Sequence, residues 1–408
     1  MFLLGRLLKY LIRIGRFDVI DHQGRRHSFS GAPGPAVTIK FNDAAAARAI
    51  AINPQLRLAE AYMNGRFDFV EGDIYTLLDI AALNTQGEPV GFARWLRPLE
   101  RLAKRWSQYN PVHRARRNVA HHYDLSGELY SLFLDTDRQY SCAYFASDND
   151  TLEVAQDNKK RHIAAKLFVK PENSVLDIGS GWGGLGLYLA RVGAGRVLGV
   201  TLSEEQHKVA NERAAKAGLA NVVAFDLRDY RHVTGTFDRI VSVGMFEHVG
   251  IRHYPEFFGK VSELLADDGV ALLHTIGRAD GPGVTNPFID RYIFPGGYAP
   301  ALSEMVPHIE RAGLFVTDVE VLRLHYAETL KEWRRRFALA RERVKAIYDE
   351  RFCRMWEFYL AGSEIAFRRQ GHVVFQIQMA KRVDALPITR DYIGEWERAH
   401  LATANLAV

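Results

Sequence analysis

Between Pro171 and Gly277, apolar strand-like segments alternate with helical patterns, and this alternation is the strongest constraint on the fold. The five segments are VLDIG, RVLGVTL, VVAFDL, DRIVSVG and ALLHTIG. Strands that alternate with helices form a parallel sheet that is covered on both faces. We therefore predict an α/β fold whose ligands bind beyond the carboxyl ends of the strands.

A glycine-rich loop, VLDIGSGWGGLGLYLA, joins the first of these strands to a helix. Its glycines let the chain turn sharply and let a ligand approach the backbone amides closely. Their spacing satisfies the dinucleotide fingerprint, but Asp177 lies inside the motif and Thr201, not an acid, ends the next strand. The pattern D-x-G-x-G-x-G instead resembles the loop of S-adenosylmethionine (SAM)-dependent methyltransferases. We therefore expect a Rossmann-like methyltransferase sheet with helical additions.

The N-terminal part has a different sequence pattern. FDVIDHQGRRHSF predicts a hairpin, VTIKF a strand, and three helical stretches follow, so we expect a small mixed α+β domain. Asn84 to Phe92, NTQGEPVGF, is the best linker candidate. The chain is accordingly divided into an N-terminal accessory domain, residues 1–92, and a domain of residues 93–408 that contains the glycine loop.

The first 17 residues, MFLLGRLLKYLIRIGRF, predict an amphipathic helix. Its apolar residues share one face and its basic residues project elsewhere, which is typical of a helix lying in a membrane interface. A surface helix packed on its own domain is the alternative. No apolar run approaches the roughly 20 residues needed to span a bilayer. We therefore expect peripheral attachment to an anionic membrane surface.

Arg94 to Arg117 is strongly basic, with eight Lys or Arg residues, one acid, and interleaved Trp and Tyr residues. Such a segment fits a membrane interface, a nucleic-acid surface or a solvated helix face. No recognition motif supports nucleic acid, so no nucleic-acid partner is predicted. The net charge of +5 decides nothing by itself, and two cysteines make the reducing cytoplasm the default location.

Eight stretches occur in an order that one family shares. They are HHYDLSGELYSLFLD, QYSCAYF, VLDIGSGWGG, GVTLSEEQ, FDRIVSVGMFEHVG, LLHTIG, RYIFPGGY and HYAETLKEW. From about Asn118 to Ala380 the chain resembles cyclopropane-fatty-acyl-phospholipid synthases and the related mycolic acid methyltransferases. Many methyltransferases share the glycine loop, but QYSCAYF together with MFEHVG and LLHTIG is far more specific. The N-terminal part resembles, more weakly, an accessory domain of some bacterial members.

This resemblance implies that a methylene passes from SAM to the cis double bond of an unsaturated phospholipid acyl chain, forming a cyclopropane ring. An alkene is a poor nucleophile, so such a site positions the reactants, excludes water and supplies a base. In this family the base is thought to be a bound bicarbonate ion. Its holders map onto Cys142, Glu247, His274 and Tyr326, with a contact from the backbone of Ile276.

Each of these assignments has a structural alternative. Glu247, an acceptor when ionised, is expected to hold bicarbonate through its O–H, but it could equally start a helix. Cys142 could be a small buried apolar residue, and His248 is expected to be a structural neighbour. Ser363 stands where some members carry a proposed catalytic cysteine, and Cys353 lies elsewhere. We therefore expect no thiol nucleophile there.

The resemblance also implies a set of SAM contacts, in which the adenine lies after the third strand. The expected contacts are Tyr140, Ser141, Asp177, Gly179, Gly181, Gly183, Thr201, Leu202, Gln206, Arg228 and Asp229. No metal site is predicted.

Three competing interpretations stay open at this point. A fatty-acyl C-methyltransferase would form the same carbocation and leave a methyl or methylene branch. A small-molecule SAM methyltransferase would not need the set of Cys142, Glu247, His274 and Tyr326. A membrane-binding protein without catalysis would not need the intact glycine loop. Members of the family tend to form homodimers, and for this chain we expect a cytoplasmic protein at the inner face of the membrane.

Overall fold

The computed structural model describes residues 1–85 and 127–401. The basic stretch Arg94–Arg117 and nearly all of the linker candidate lie outside the described residues, so the boundary at residue 92 stays a prediction. The described residues form two compact units, each assembled from separate segments of the chain. The first unit comprises residues 1–85, 284–295 and 327–372, and the second comprises residues 127–283, 296–326 and 373–401.

The first unit contains a four-stranded sheet of order β2-β1-β3-β4. The strands are β1 (Ile14–Ile20), β2 (Arg26–Ser30), β3 (Ala32–Phe41) and β4 (Phe67–Glu71). The antiparallel β1–β2 pair confirms the predicted hairpin, and β3 contains the predicted strand. The helices here are α1 (Phe2–Leu11), α2 (Ala44–Ile52), α3 (Pro54–Met63) and α4 (Ile74–Thr85). The last three confirm the predicted helical stretches.

The second unit contains a seven-stranded sheet of order β10-β11-β9-β8-β5-β6-β7. The five predicted strands are all present: β5 (Ser174–Ile178), β6 (Arg196–Thr201), β7 (Val223–Leu227), β8 (Phe237–Val243) and β9 (Leu265–Arg278). They pair in parallel, as predicted. Parallel pairing places their carboxyl ends along one edge of the sheet.

Helices cover both faces of this sheet. They are α5 (Gly127–Phe133), α6 (Leu152–Lys166), α7 (Gly184–Arg191), α8 (Glu204–Lys216), α9 (Tyr254–Leu264), α10 (Leu302–Arg311) and, near the end of the chain, α13 (Asp391–Ala399). Along β5, Leu176 and Ile178 pack in one apolar cluster with α9 and α10, whereas Val175 packs in another with α6, α7, α8 and α13. Alternate residues of a strand point to opposite faces, so the two clusters lie on opposite sides of the sheet.

The sequence pattern from about Glu328 predicts a mostly helical part, and the structure is mostly helical there, but two strands were not predicted, one just before this part and one inside it. An antiparallel pair, β10 (Phe315–Leu322) and β11 (His372–Ala380), extends the sheet. The long helical pattern that precedes β11 is also interrupted. It divides into α11 (His325–Ile347) and α12 (Glu350–Arg369), because the side chain of Asp349 accepts from the N–H of Phe352 at 2.6 Å and caps a new helix.

Candidate active site

A cavity of about 150 Å³ lies at the carboxyl ends of β5, β6 and β8, where the parallel sheet predicts a ligand site. We call it the strand-end cavity. Ten of the eleven expected SAM contacts line it: Tyr140, Ser141, Asp177, Gly179, Gly181, Thr201, Leu202, Gln206, Arg228 and Asp229. The structure therefore brings together residues that are up to 89 positions apart in the sequence.

Gly183, the eleventh expected contact, does not line the cavity. It precedes α7 with φ of +83°, and a Cβ placed on it would lie 2.8 Å from the ring of Phe225 and 2.9 Å from Ala210. This glycine therefore allows the start of α7 to pack closely against its neighbours. Gly179 has φ of +85° and does line the cavity, and there a Cβ would lie 2.8 Å from the side chain of Met245.

Asp177 ends β5 as a buried carboxylate on the cavity wall. Its Oδ2 atom is buried and has no hydrogen-bond partner among residues 1–85 and 127–401. Burial raises the pKa of Asp177 to about 7, although the nearby charge of Lys159 opposes this rise. An acceptor of this kind suits a ligand that brings its own donor into the cavity.

The end of β6 presents two side chains that are bonded to each other. The hydroxyl of Thr201 donates to Oε1 of Gln206 at 2.9 Å, while the hydroxyl of Ser203 accepts from the N–H of Gln206 and caps α8. The bond from Thr201 fixes the orientation of the Gln206 side-chain amide, because Oε1 is the atom of that amide that accepts a hydrogen bond. The strand thus ends in Thr201, and no acid stands at the position where a dinucleotide-binding fold carries its ribose-binding residue.

Arg228 and Asp229 follow β7 and differ in their surroundings. Arg228 is partly exposed and pairs with Asp226 at 3.0 Å. Asp229 is buried, which favours its neutral form, but hydrogen bonds from Arg231 at 2.9 and 2.7 Å outweigh burial and lower its pKa. Asp229 is thus an ionised acceptor held rigidly at the cavity wall.

Polar residues of α6 hold the chain segment that carries Tyr140 and Ser141, and the sequence analysis missed them. Lys159 donates from Nζ to the hydroxyl of Ser141 at 2.8 Å and to Oε1 of Gln139 at 2.6 Å. Gln156 donates to the carbonyl of Ser141 at 3.0 Å. Burial lowers the pKa of Lys159 to about 8. The signal that could have revealed them is the sequence LEVAQDNKKRHIAAK itself, because a helix this polar that is nevertheless buried must place polar side chains against polar partners.

The five residues expected around the anion, Cys142, Glu247, His274, Ile276 and Tyr326, are called here the Glu247 group. Glu247 lies in a short 3₁₀ helix after β8, and its Oε1 accepts from the N–H of Ile276 on β9 at 2.6 Å. Its Oε2 is buried and has no hydrogen-bond partner within the described parts of the chain. Burial raises the pKa of Glu247, and the bond from Ile276 lowers it only in part.

His274 lies on β9 opposite Val243 of β8, a residue of the cavity wall. Its Nδ1 is 3.2 Å from Nε2 of Gln376, and both side chains are buried. Burial lowers the pKa of His274 to about 3, so its imidazole is neutral at physiological pH. His248 lines the cavity and is neutral for the same reason, with a pKa lowered to about 4.

Cys142 and Tyr326 are both buried, and each lies near one side of a hydrogen bond that joins two distant parts of the chain. Cys142 follows the cavity residue Ser141, and its thiol donates to the carbonyl of Ala143 at 3.3 Å. Three residues further, the N–H of Phe145 donates to Nδ1 of His325 at 3.0 Å, next to Tyr326. The structure thus joins Glu247 to Ile276 by a hydrogen bond. Cys142 follows Ser141 of the cavity wall, His274 is paired with Val243 of that wall, and Tyr326 follows His325.

Two further observations bear on the chemistry. Cys353, in α12, is buried, and burial raises the pKa of its thiol to about 11, which disfavours the thiolate. In residues 1–85 and 127–401 no group of three His, Cys, Asp or Glu side chains is arranged to hold a metal ion. The site offers instead two carboxylate oxygens without a partner in these ranges, on Asp177 and Glu247, and two neutral imidazoles.

Comparisons with known proteins were consistent with this geometry. The family model described as mycolic acid cyclopropane synthetase matches residues 111–377, and a domain of unknown function, DUF7884, matches residues 16–88. The cyclopropane-fatty-acyl-phospholipid synthase of Escherichia coli K12 is 42% identical over 263 residues, which cover 64% of this chain and 67% of that protein. The tuberculostearic acid methyltransferase UfaA1 of Mycobacterium tuberculosis is 37% identical over 348 residues, 82% of this chain and 80% of that protein.

Among solved structures, the mycolic acid cyclopropane synthase CmaA1, crystallised with SAH and CTAB, superposes with a TM-score of 0.62. It is 33% identical in sequence, and the match covers 67% of this chain and 99% of that one. The similarity confirms the predicted fold class, an α/β methyltransferase sheet with helical additions.

Proposed function

The chain belongs to the mycolic acid cyclopropane synthetase family of SAM-dependent methyltransferases, and on this premise we propose that it adds a methylene from SAM across the cis double bond of an unsaturated phospholipid acyl chain. The observation that carries the proposal is the adjacency of the two parts of the site. The cavity is lined by ten expected SAM contacts and also by Met245 and His248, which lie on either side of Glu247 in the chain; Glu247 is a buried carboxylate with one unsatisfied oxygen among the described residues.

SAM is the co-substrate that suits the strand-end cavity. Gly179 has a left-handed backbone and no side chain, so the loop can pass close to Met245. Asp177 supplies an acceptor that has no partner among the described residues. The π electrons of the alkene form a bond to the sulfonium methyl as its C–S bond breaks, leaving a carbocation on the acyl chain. A C–H bond of the added carbon then loses its proton, and its electrons close the ring.

Bicarbonate fits the Glu247 group, because an ionised carboxylate can only accept hydrogen bonds and bicarbonate carries one O–H. When bound, it supplies the base for the proton on the added carbon. Glu247 would accept the O–H through Oε2, while the N–H of Ile276 donates to Oε1 and favours the ionised form. His274 would offer a ring nitrogen and Tyr326 a hydroxyl, and Cys142 is buried next to Ser141 of the cavity wall.

A branching methyltransferase is the second candidate, and one observation favours it. The match to the tuberculostearic acid methyltransferase UfaA1 extends over 82% of this chain, whereas the match to the E. coli cyclopropane synthase covers 64%. Both activities begin with the same carbocation. Loss of a proton either closes the ring or leaves a branched chain with a carbon–carbon double bond, and only a hydride donor would convert that double bond into a saturated methyl branch. The product therefore decides between them.

The decisive experiment is incubation of the purified protein with SAM and vesicles of a cis-monounsaturated phospholipid. Mass spectrometry and proton NMR of the acyl chains then identify the product. One added carbon, with olefinic signals lost and high-field ring protons gained, is expected. One added carbon without ring protons establishes the branching activity. SAM binding without transfer to lipid overturns both and leaves a small-molecule substrate.

Attachment to the membrane surface is proposed through α1. No helix in residues 1–85 or 127–401 is long and apolar enough to cross a bilayer. On α1, however, Phe2, Leu3 and Tyr10 are 73%, 54% and 71% exposed among basic residues. Apolar side chains flanked by positive charge bind the interface of anionic bilayers. We further propose a cytoplasmic location at the inner face of the membrane and a homodimer.

Sedimentation with anionic vesicles tests this surface on the full-length chain. Replacing Phe2, Leu3 and Tyr10 by alanine together is expected to weaken binding. Ile52→Ala serves as the matched control, because Ile52 is also an exposed apolar residue of the first unit, 70% exposed on α2. Equal binding of the triple variant and the control would show that α1 does not attach the protein to the membrane surface.

A further inference from the structure

The imidazole of His274 has a neighbour that the sequence analysis did not include. Gln376 lies on β11, one of the two strands that were not predicted, and its side chain is buried against His274 of β9. Its amide Nε2 lies 3.2 Å from Nδ1 of the imidazole. Because the pKa of His274 is lowered by burial, the ring carries one proton, and that proton resides on either Nδ1 or Nε2.

The surroundings of Gln376 determine which way its amide is oriented. Its Oε1 is buried without a hydrogen-bond partner among the described residues. If the amide were turned over, the NH₂ group would occupy that place, and both of its donors would need buried acceptors there. A buried acceptor left unpaired is less unfavourable than a buried donor pair left unpaired. The orientation with NH₂ towards Nδ1 is therefore the favoured one.

We propose that Gln376 is a positioning residue that fixes His274 in the tautomer with its proton on Nε2. An amide N–H that donates to Nδ1 requires a lone pair on that atom, so the single ring proton must be on the other nitrogen. His274 then offers a hydrogen-bond donor to an anion. The opposite tautomer would offer a lone pair and repel a negatively charged oxygen.

The inference deepens the proposed function, since the value of a donor at His274 rests on an anion being bound there. The tautomer itself does not depend on that assignment. Gln376 is more than 100 residues from His274 in the sequence, and the two meet only because β11 is inserted next to β9. A polar glutamine inside a strand whose other residues are almost all buried is consistent with a specific task.

The first test reads the tautomer directly, in the full-length protein. Long-range ¹H–¹⁵N correlation spectra of ¹⁵N-histidine-labelled protein distinguish the two ring nitrogens, and His274→Gln identifies the signals of His274. The wild type is expected to have its proton on Nε2. Gln376→Glu is expected to place a proton on Nδ1, because a carboxylate demands a donor. A wild-type proton on Nδ1, or a Gln376→Glu spectrum unchanged from wild type, overturns the proposal.

The second test is activity, with Gln378→Met as the matched control. Gln378 is a buried glutamine on the same strand whose amide donates to the hydroxyl of Tyr392 at 2.6 Å and to the carbonyl of Lys166. Gln376→Met and Gln376→Glu are expected to lower kcat roughly 10- to 100-fold, the usual cost of removing a group that orients a functional histidine. KM for SAM should change little, and Gln378→Met should keep its kcat.

The two tests separate the possible failures. If the tautomer responds as expected but the wild type makes no lipid product, the proposed function fails and the positioning role stands. If the wild type is active and Gln376→Met retains full kcat, the positioning role has no catalytic value and the proposal is overturned. Circular dichroism and thermal unfolding of each variant show whether a loss of kcat merely reflects misfolding, in which case the Gln376→Glu spectrum of the folded fraction decides.

Discussion

The strand-end cavity and the Glu247 group border each other but are built differently. Most of the cavity wall comes from residues at the ends of β5, β6, β7 and β8 or just after them, among them Gly179 and Gly181. In the Glu247 group, two side chains meet partners on distant strands: Glu247 accepts from the N–H of Ile276 on β9, and His274 lies 3.2 Å from Gln376 of β11. The first can be read from local sequence, whereas the second depends on how distant strands come together.

The comparison predicts its largest effect at Glu247. Glu247→Gln keeps the shape and replaces the acceptor at Oε2 by an amide, so the anion loses the partner for its O–H. We expect kcat to fall about 10²- to 10⁴-fold, the range typical of lost acid–base function, while the affinity for SAM stays near that of the wild type. Product formation and titration calorimetry with SAM measure the two quantities. A parallel loss of SAM affinity would show that the two regions are not separable.

A substitution at Gly179, in the strand-end cavity, should instead weaken the binding of SAM. Alanine there must adopt φ of +85° and also place a Cβ 2.8 Å from Met245. We expect weaker SAM binding and a loss of about 1–3 kcal/mol in the free energy of unfolding. Gly218→Ala is the control, because Gly218 has φ of +68° with nothing within 4 Å of an added Cβ. It should lose stability from backbone strain and keep SAM affinity; equal SAM affinity in both variants would contradict the role of Gly179.

These differences explain which parts of the molecule could be predicted. The five parallel strands and the loop glycines are local patterns, so the sheet and ten cavity residues followed from sequence and resemblance. Strands β10 and β11 did not, because they lie outside the strand–helix alternation of residues 171–277 and two long helices, α11 and α12, separate them. Gln376 was missed together with its strand. Lys159 was missed because its partners, Gln139 and Ser141, belong to another segment of the chain, and the polar sequence of α6 is its only local sign.

Lys159 links the two regions, because it holds Ser141 of the cavity next to Cys142. Its pKa is about 8 in the folded protein, below the ordinary value of 10.5, so between these values the unfolded chain binds more protons. Its contribution to the free energy of unfolding therefore rises with pH over that window, by at most about 1.4 kcal/mol per pH unit.

Lys159→Met removes this dependence. Urea unfolding of the wild type and the variant at a series of pH values between 8 and 10.5 measures the difference in slope. The wild-type curve should rise more steeply than the variant's. Parallel curves would mean that Lys159 titrates as an exposed lysine does and is not enclosed behind Ser141. Lys208→Met is the control, since that side chain is 77% exposed on α8 and should leave the slope unchanged.

The smallest expected effect is at Thr201, where a single hydrogen bond positions a cavity side chain. Thr201→Val is nearly isosteric and removes the donor to Oε1 of Gln206, so the amide of Gln206 is free to rotate. The lost bond is worth about 1 kcal/mol, which predicts a roughly fivefold weaker affinity for SAM. Ser203→Ala removes the cap of α8 at a similar cost in stability but leaves the bond between Thr201 and Gln206 in place. If the affinity for SAM falls equally in both variants, loss of helix stability explains the effect; if it falls only in Thr201→Val, the orientation of one amide is part of what the cavity recognises.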